Sequence, residues 1–179
     1  MLRTLLIFAV LAAALVGQET RQEVIKATTP EQDSKPNSDK VPDVYALTGN
    51  FSKVAVLRFK YQADLLAGLE KAIKQQGIRN GVILAGAGSV TGYQIHTVSN
   101  RTFPSKNLYV KNPTQPADII SMNGYVIDGR LHAHMTMATP DKAFGGHLEP
   151  GTKVFTFAII TVGVMNDVDL SRVDDKTYR

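Results

Sequence analysis

Residues 118–139 read DIISMNGYVIDGRLHAHMTMAT, and the pair at the centre of this stretch decides how it folds. Asp128-Gly129 is a two-residue hairpin signal, because both positions tolerate positive φ and the turns that join antiparallel strands require it. The flanking runs, Asp118–Ile127 and Arg130–Thr139, have strand length and β-forming residues, so they are expected to pair antiparallel. On the second run His132 and His134 stand two apart, and residues i and i+2 of a strand share a face. Both imidazoles can therefore converge on one ion.

Outward from this hairpin, strand patterns continue in both directions. Lys53–Lys60 (KVAVLRFK) alternates, with Val54, Val56 and Arg58 on one face. Over 62–76, Leu65, Leu66, Leu69, Ala72 and Ile73 recur at helical spacing, and Asp64 sits in the first turn, where a carboxylate favours the helix dipole. Gly77 is expected to cap that helix. Gly81–Ala87 (GVILAGA) reads as a buried strand, and the glycine cluster Gly86-Ala87-Gly88-Ser89 is expected to bend the chain into another, Thr91–Val98. A tight strand-to-strand turn is favoured there over an anion cradle. Leu108–Val110 and Lys153–Val164 complete the set. The expected class is α+β: a mostly antiparallel sheet of about six or seven strands with one main helix packed on it.

The ends read differently. Residues 1–17 (MLRTLLIFAVLAAALVG) place one basic residue before a short apolar core, the layout of a cleaved signal peptide. That run is too short to span a bilayer comfortably. A periplasmic or secreted protein is expected, with no stable membrane insertion once the leader is removed. Residues 18–43, rich in charge and proline, read as a flexible linker. Residues 44–166 read as the folded domain and 167–179 as a polar tail that frays.

The chain has 179 residues, no cysteine and a net charge of +4. Disulfides, thiolate metal sites and cysteine nucleophiles are thereby excluded. The positive excess is small and dispersed, and nucleic-acid binders concentrate Lys and Arg on one face; no specific nucleic-acid partner is expected.

Chemistry gathers on histidine. After His132 and His134 comes His147, in the turn-like segment AFGGHLEPG, where Gly145 and Gly146 let the backbone return the ring toward the sheet. A lone His-x-His is more often an ordinary polar pair; the third histidine shifts the balance toward a metal. Imidazole suits Zn, Cu, Ni or Fe, and three histidines without a fourth protein ligand match the open type of zinc site. His132, His134 and His147 are the expected ligands of one divalent ion, zinc by preference. His96, alone in YQIHTV, is given no metal role. Glu149 is the weak catalytic candidate, as a general base or a partner of His147, with a solvated turn carboxylate as the equal alternative.

The string Arg130-Leu-His-Ala-His-Met, followed by Gly145-Gly-His-Leu and a final strand, resembles the PPC domain (plants and prokaryotes conserved domain). Arg58-Phe59 with Asp64-Leu65-Leu66, Gly77-Ile78 through Gly81, Ala85-Gly-Ala-Gly-Ser-Val and Asp118-Ile-Ile-Ser-Met-Asn-Gly resemble its other parts in the same order. The resemblance implies a compact α+β fold, a homotrimer and, in prokaryotic members, a metal on these three histidines. The chain departs from the pattern at Gln62-Ala63-Asp64, where Gly-Glu-Asp is commoner, and at Asp118, where a glutamate is usual. Plant members carry Arg-Gly-Arg-Pro hooks for DNA, and none occurs here. Two functions stay open: a metal-floored module that binds or senses an unknown small ligand, and an enzyme of hydrolase or lyase type using metal-bound water.

Overall fold

In a computed structural model, which describes residues 18–24, 39 and 42–173, Asp128 and Gly129 take φ of 48° and 77° and close the expected hairpin. The leader assigned to 1–17, most of the linker and the last residues of the tail lie outside the described residues. In chain order the elements are β1 (Thr20–Val24), β2 (Lys53–Lys60), α1 (Leu65–Gln75), β3 (Asn80–Val98), β4 (Asn107–Asn112), β5 (Ala117–Ile127), β6 (Arg130–Ala138), β7 (Ala143–Leu148), β8 (Lys153–Met165) and a 3-10 turn at Leu170–Arg172.

The helix forms where the leucine spacing puts it, although shorter than expected. Asp64 is its N-cap and not a first-turn residue: its carboxylate accepts from the Ala67 N–H at 3.1 Å. At the other end Gly77, at φ +63°, donates to the Lys74 carbonyl and Ile78 to the Ile73 carbonyl, which satisfies two orphan helix carbonyls. Leu65, Leu69 and Ile73 are buried against the sheet. A Leu69→Ala cavity there would cost about 2–5 kcal/mol.

Every strand pairing is antiparallel, and β3 is the spine. Its first half lies between β5 and β8, and its second half between β4 and β7. Because β5, β6 and β7 also pair in sequence, β3–β5–β6–β7–β3 is a closed circuit. β2 extends the sheet beyond β8, and β1 extends it beyond β4. Tyr93, Ile95, Met135, Met137, Leu148, Ile160 and Val162 fill the interior.

The architecture is α+β, with eight strands among the described residues instead of six or seven, and the difference has three sources. Gly81–Ala87 and Thr91–Val98 are parts of one strand, because the glycine cluster does not turn. A Cβ on Gly86 would meet Met122 and Ile160, and one on Gly88 would collide with the Phe157 carbonyl. The glycines remove bulk where β5 and β8 close onto β3, and register shifts absorb the bending. The second source is β7, read as a turn and found as a strand. The third is β1, inside the segment read as flexible. Its five residues pair with β4, and Glu19 and Glu23 accept hydrogen bonds from Tyr93 Oη and Ser99 Oγ at 2.9 and 2.8 Å. A backbone ladder on a sheet edge needs no apolar side chains.

Two smaller points concern faces and ends, the second of them a correction. Val54, Val56 and Arg58 do share a face of β2, but it is the outward one; Ala55, Leu57 and Phe59 point to the core. The tail read as frayed begins ordered: the Asp167 carboxylate accepts from Asn50, and Leu170 is buried.

Candidate metal centre

On β6, Ala133, Met135 and Met137 point into the core, and the strand period sends His132 and His134 outward together. Their Nε2 atoms are 3.0 Å apart. Two imidazole ligands of one tetrahedral zinc ion, each at about 2.0–2.1 Å, would have nitrogens roughly 3.3 Å apart. At that distance the two rings hydrogen-bond to each other, and a small opening of the pair would reach the spacing of two ligands on one ion.

β7 brings the third histidine. Gly145 and Gly146 do not turn the chain; they let β7 fit between two strands. A Cβ on Gly145 would collide with the Met135 carbonyl of β6, and one on Gly146 would press on the His96 carbonyl of β3. The resulting register sets His147 opposite His134 on one side and His96 on the other. His96 in turn stands opposite Tyr109 of β4. Cross-strand partners share a face, so His134, His147, His96 and Tyr109 form one lateral row. The His147 ring lies 4.8 Å from that of His132 and 5.3 Å from that of His134, both edge-on, and stacks on His96 at 4.5 Å. Tyr109 follows His96 at 4.9 Å.

Glu149 closes the group. Its N–H donates to the Gln94 carbonyl, and the buried Thr152 hydroxyl lies within bonding distance of the Gln94 and Glu149 carbonyls, fixing the turn after β7. The carboxylate Oε1 is 2.6 Å from His96 Nδ1 and 3.7 Å from His147 Nδ1. A carboxylate can only accept, so His96 donates through Nδ1–H. His147 Nδ1 is buried and has no hydrogen-bond partner. Burial, followed by the neighbouring histidines, pushes the His147 imidazole down to about 4. Burial, then His132 and His96, also lowers His134. Both rings are thereby held neutral near pH 7, the state in which a lone pair can bind a cation.

The three expected residues thus come together as rings. Among the described residues, however, the group whose ligand atoms all lie within 4.8 Å of one another is His96, His147 and Glu149. His96, set apart in the sequence reading, belongs to the cluster, and Glu149 is its half-buried carboxylate and not a solvated one. The donor chemistry fits a divalent ion: imidazoles and one carboxylate, with an orphaned buried nitrogen among them.

Comparison with known proteins bears on the fold and the family. Two Synechococcus proteins named Bifunctional protein GlmU are 27% and 26% identical over 124 residues, 69% of this chain, which spans under a fifth of their length. Among solved structures, the metal-containing protein AF0104 of Archaeoglobus fulgidus has a TM-score of 0.57 at 22% identity, over 69% of this chain and 86% of that one. A plant- and prokaryote-conserved (PPC) protein of Pyrococcus horikoshii has a TM-score of 0.58 at 19% identity, over 70% and 87%. A candidate DNA-binding protein of Bacteroides thetaiotaomicron has a TM-score of 0.53 at 18% identity, over 68% and 86%. At these identities the structures speak for the fold alone. Residues 46–166, which carry the spine β3, the His-x-His strand and the Gly-Gly-His strand, match the Plants and Prokaryotes Conserved (PCC) domain, and the chain belongs to that family.

Proposed function

We propose that this protein is an exported metal-binding module of the PCC family, which presents a zinc centre on His132, His134 and His147 to a small ligand. The observation that carries the reading is the convergence of three imidazoles from β6 and β7, two with Nε2 atoms 3.0 Å apart and the third with its ring 4.8 and 5.3 Å from theirs. The metal-containing relative from Archaeoglobus fulgidus supports it as an analogy of fold. Export rests on the leader-like composition of residues 1–17.

Assembly as a homotrimer comes from the family resemblance. It is supported by apolar side chains that the monomer leaves open on one face, Val54 and Val56 on β2 and Phe155, Phe157 and Ile159 on β8, with Arg58 and Lys60 opposite Ile159 and Phe157. Contiguous exposed apolar patches mark association surfaces. Val56→Glu should leave the chain folded and reduce its mass in light scattering to that of a monomer.

The enzyme reading is favoured by one feature, the half-buried Glu149 carboxylate beside the imidazoles, which could take a proton from metal-bound water. Specific DNA binding gains nothing from the small, dispersed charge excess.

Metal analysis of the purified protein after exposure to Zn(II) tests the main reading. Stoichiometric zinc is expected in the wild type, with a marked loss in His134→Ala. Wild type without zinc, or His134→Ala with its full complement, would overturn it.

A further inference from the structure

His96 and Glu149 stand outside the three-histidine motif, yet with His147 they make the tightest donor set among the described residues. We propose that His96, His147 and Glu149 hold a second divalent cation beside the His132–His134 pair, with His147 between the two, so that each chain binds two ions. This rests on the metal-binding reading above and adds a site to it.

The two groups of donors use different atoms. His132 and His134 approach one another through Nε2. His96 and His147 instead aim Nδ1 at the same carboxylate oxygen, at 2.6 and 3.7 Å. An ion among those three atoms takes nothing from the first pair. Two imidazoles and one carboxylate are also a complete donor set, used by open zinc sites and by non-haem iron centres.

The polar accounting of the apo site points the same way. His147 Nδ1 is buried without a partner, and a buried unsatisfied polar atom costs about 1–3 kcal/mol. Glu149 Oε1 faces it across a gap of 3.7 Å, too long for a hydrogen bond. A cation between them satisfies the nitrogen and displaces the Nδ1–H proton of His96 to solvent; His147, serving both ions, bridges them as an imidazolate and releases its remaining N–H proton to solvent as well. The carboxylate offsets part of the charge that a second ion adds beside the first.

The site is also rigidly framed, as a metal site must be to discriminate among ions. β3–β7 pairing fixes His96 opposite His147, and Glu149 is tied to β3 through its own N–H and through Thr152. Side-chain exposures of 18%, 23% and 16% for His96, His147 and Glu149 leave the group reachable from solvent without flooding it.

The test is a Zn(II) titration of the metal-stripped full-length protein, with bound ions counted by mass spectrometry after equilibrium dialysis and folding followed by circular dichroism. Two ions per wild-type chain are expected. His96→Gln and Glu149→Gln, chosen to keep size and hydrogen bonding, should each hold one. His134→Ala should keep the His96–Glu149 ion and lose the other. A wild type with a single ion that both glutamine variants retain at unchanged affinity overturns this inference and leaves the three-histidine site standing. A single ion lost in Glu149→Gln and kept in His134→Ala overturns both. A folded wild type that takes up none does so as well.

Discussion

His132 and His134 lie two residues apart on an exposed strand face, whereas His96, His147 and Glu149 are collected from β3, β7 and the turn after it and are half-buried. The first group is local: any sequence that forms β6 will present it, because the strand period alone aligns the rings. The second exists only if the circuit β3–β5–β6–β7–β3 closes, since one pairing of β7 on β3 brings His147 to His96. Two neighbouring sets of ligands thus depend on different levels of the structure. Damage to circuit closure should disrupt the second set and spare the first, and loss of a ring that belongs to one set alone should act on that set.

The largest separation is expected from Gly146→Val. Its side chain has no room beside the His96 carbonyl and Thr97. Forcing β7 away from β3 should cost roughly 3 kcal/mol or more, as backbone-level overpacking does. A large drop in the urea midpoint, together with loss of zinc binding dependent on Glu149, is the expected result. A variant as stable as wild type would mean that closure does not govern the second group.

Acid should sharpen the same contrast. Burial keeps the His147 imidazole down to about 4 in the fold, against an ordinary value of 6.5. Between those two values the unfolded chain takes up a proton that the folded chain refuses. Stability of the metal-free protein should therefore fall as pH drops from 6.5 to about 4 and level off below. At most about 3 kcal/mol is involved. Urea midpoints of wild type and His147→Gln across this range check it: the glutamine variant should lose most of the slope. Equal slopes would assign the acid sensitivity elsewhere.

The smallest effect is expected at the end of the row. Tyr109 packs on His96 at 4.9 Å and stands at the far end of the row from β6. Tyr109→Ala should loosen His96 and weaken zinc binding at the His96–Glu149 side by roughly tenfold, the lower end for a residue that supports a ligand. The His132–His134 side should be unmoved. Calorimetric titration resolves the two, and equal weakening of both would show that they act as one site.

What the sequence disclosed follows the same division. Asp128-Gly129 announced its hairpin, the leucines at 65, 66 and 69 with Gly77 announced the helix, and the His-x-His spacing announced a shared face. Each of these is decided within a few residues. β7 was hidden because Gly145-Gly146 has the composition of a turn, and only the approach of β6 and β3 on either side explains why a strand there must lack side chains. The glycines at 86 and 88 misled for the same reason. His96 looked solitary because its partners are brought to it by register and not by spacing. Thr20–Val24, too polar to suggest a strand, pairs through its backbone.

That first strand has a consequence beyond the cluster. Without β1, the outer edge of β4 would present a row of unsatisfied N–H and C=O groups to solvent, a template for the edge of any other chain. β1 covers that template and offers in its place a short strand bearing Arg21 and Glu23, whose charges discourage further addition. Proteolytic trimming past Val24 would leave the metal ligands in place and remove this guard. The trimmed protein would keep its histidine cluster, yet its bare β4 edge would favour edge-to-edge association, a liability held off by five residues that lie before the family domain begins.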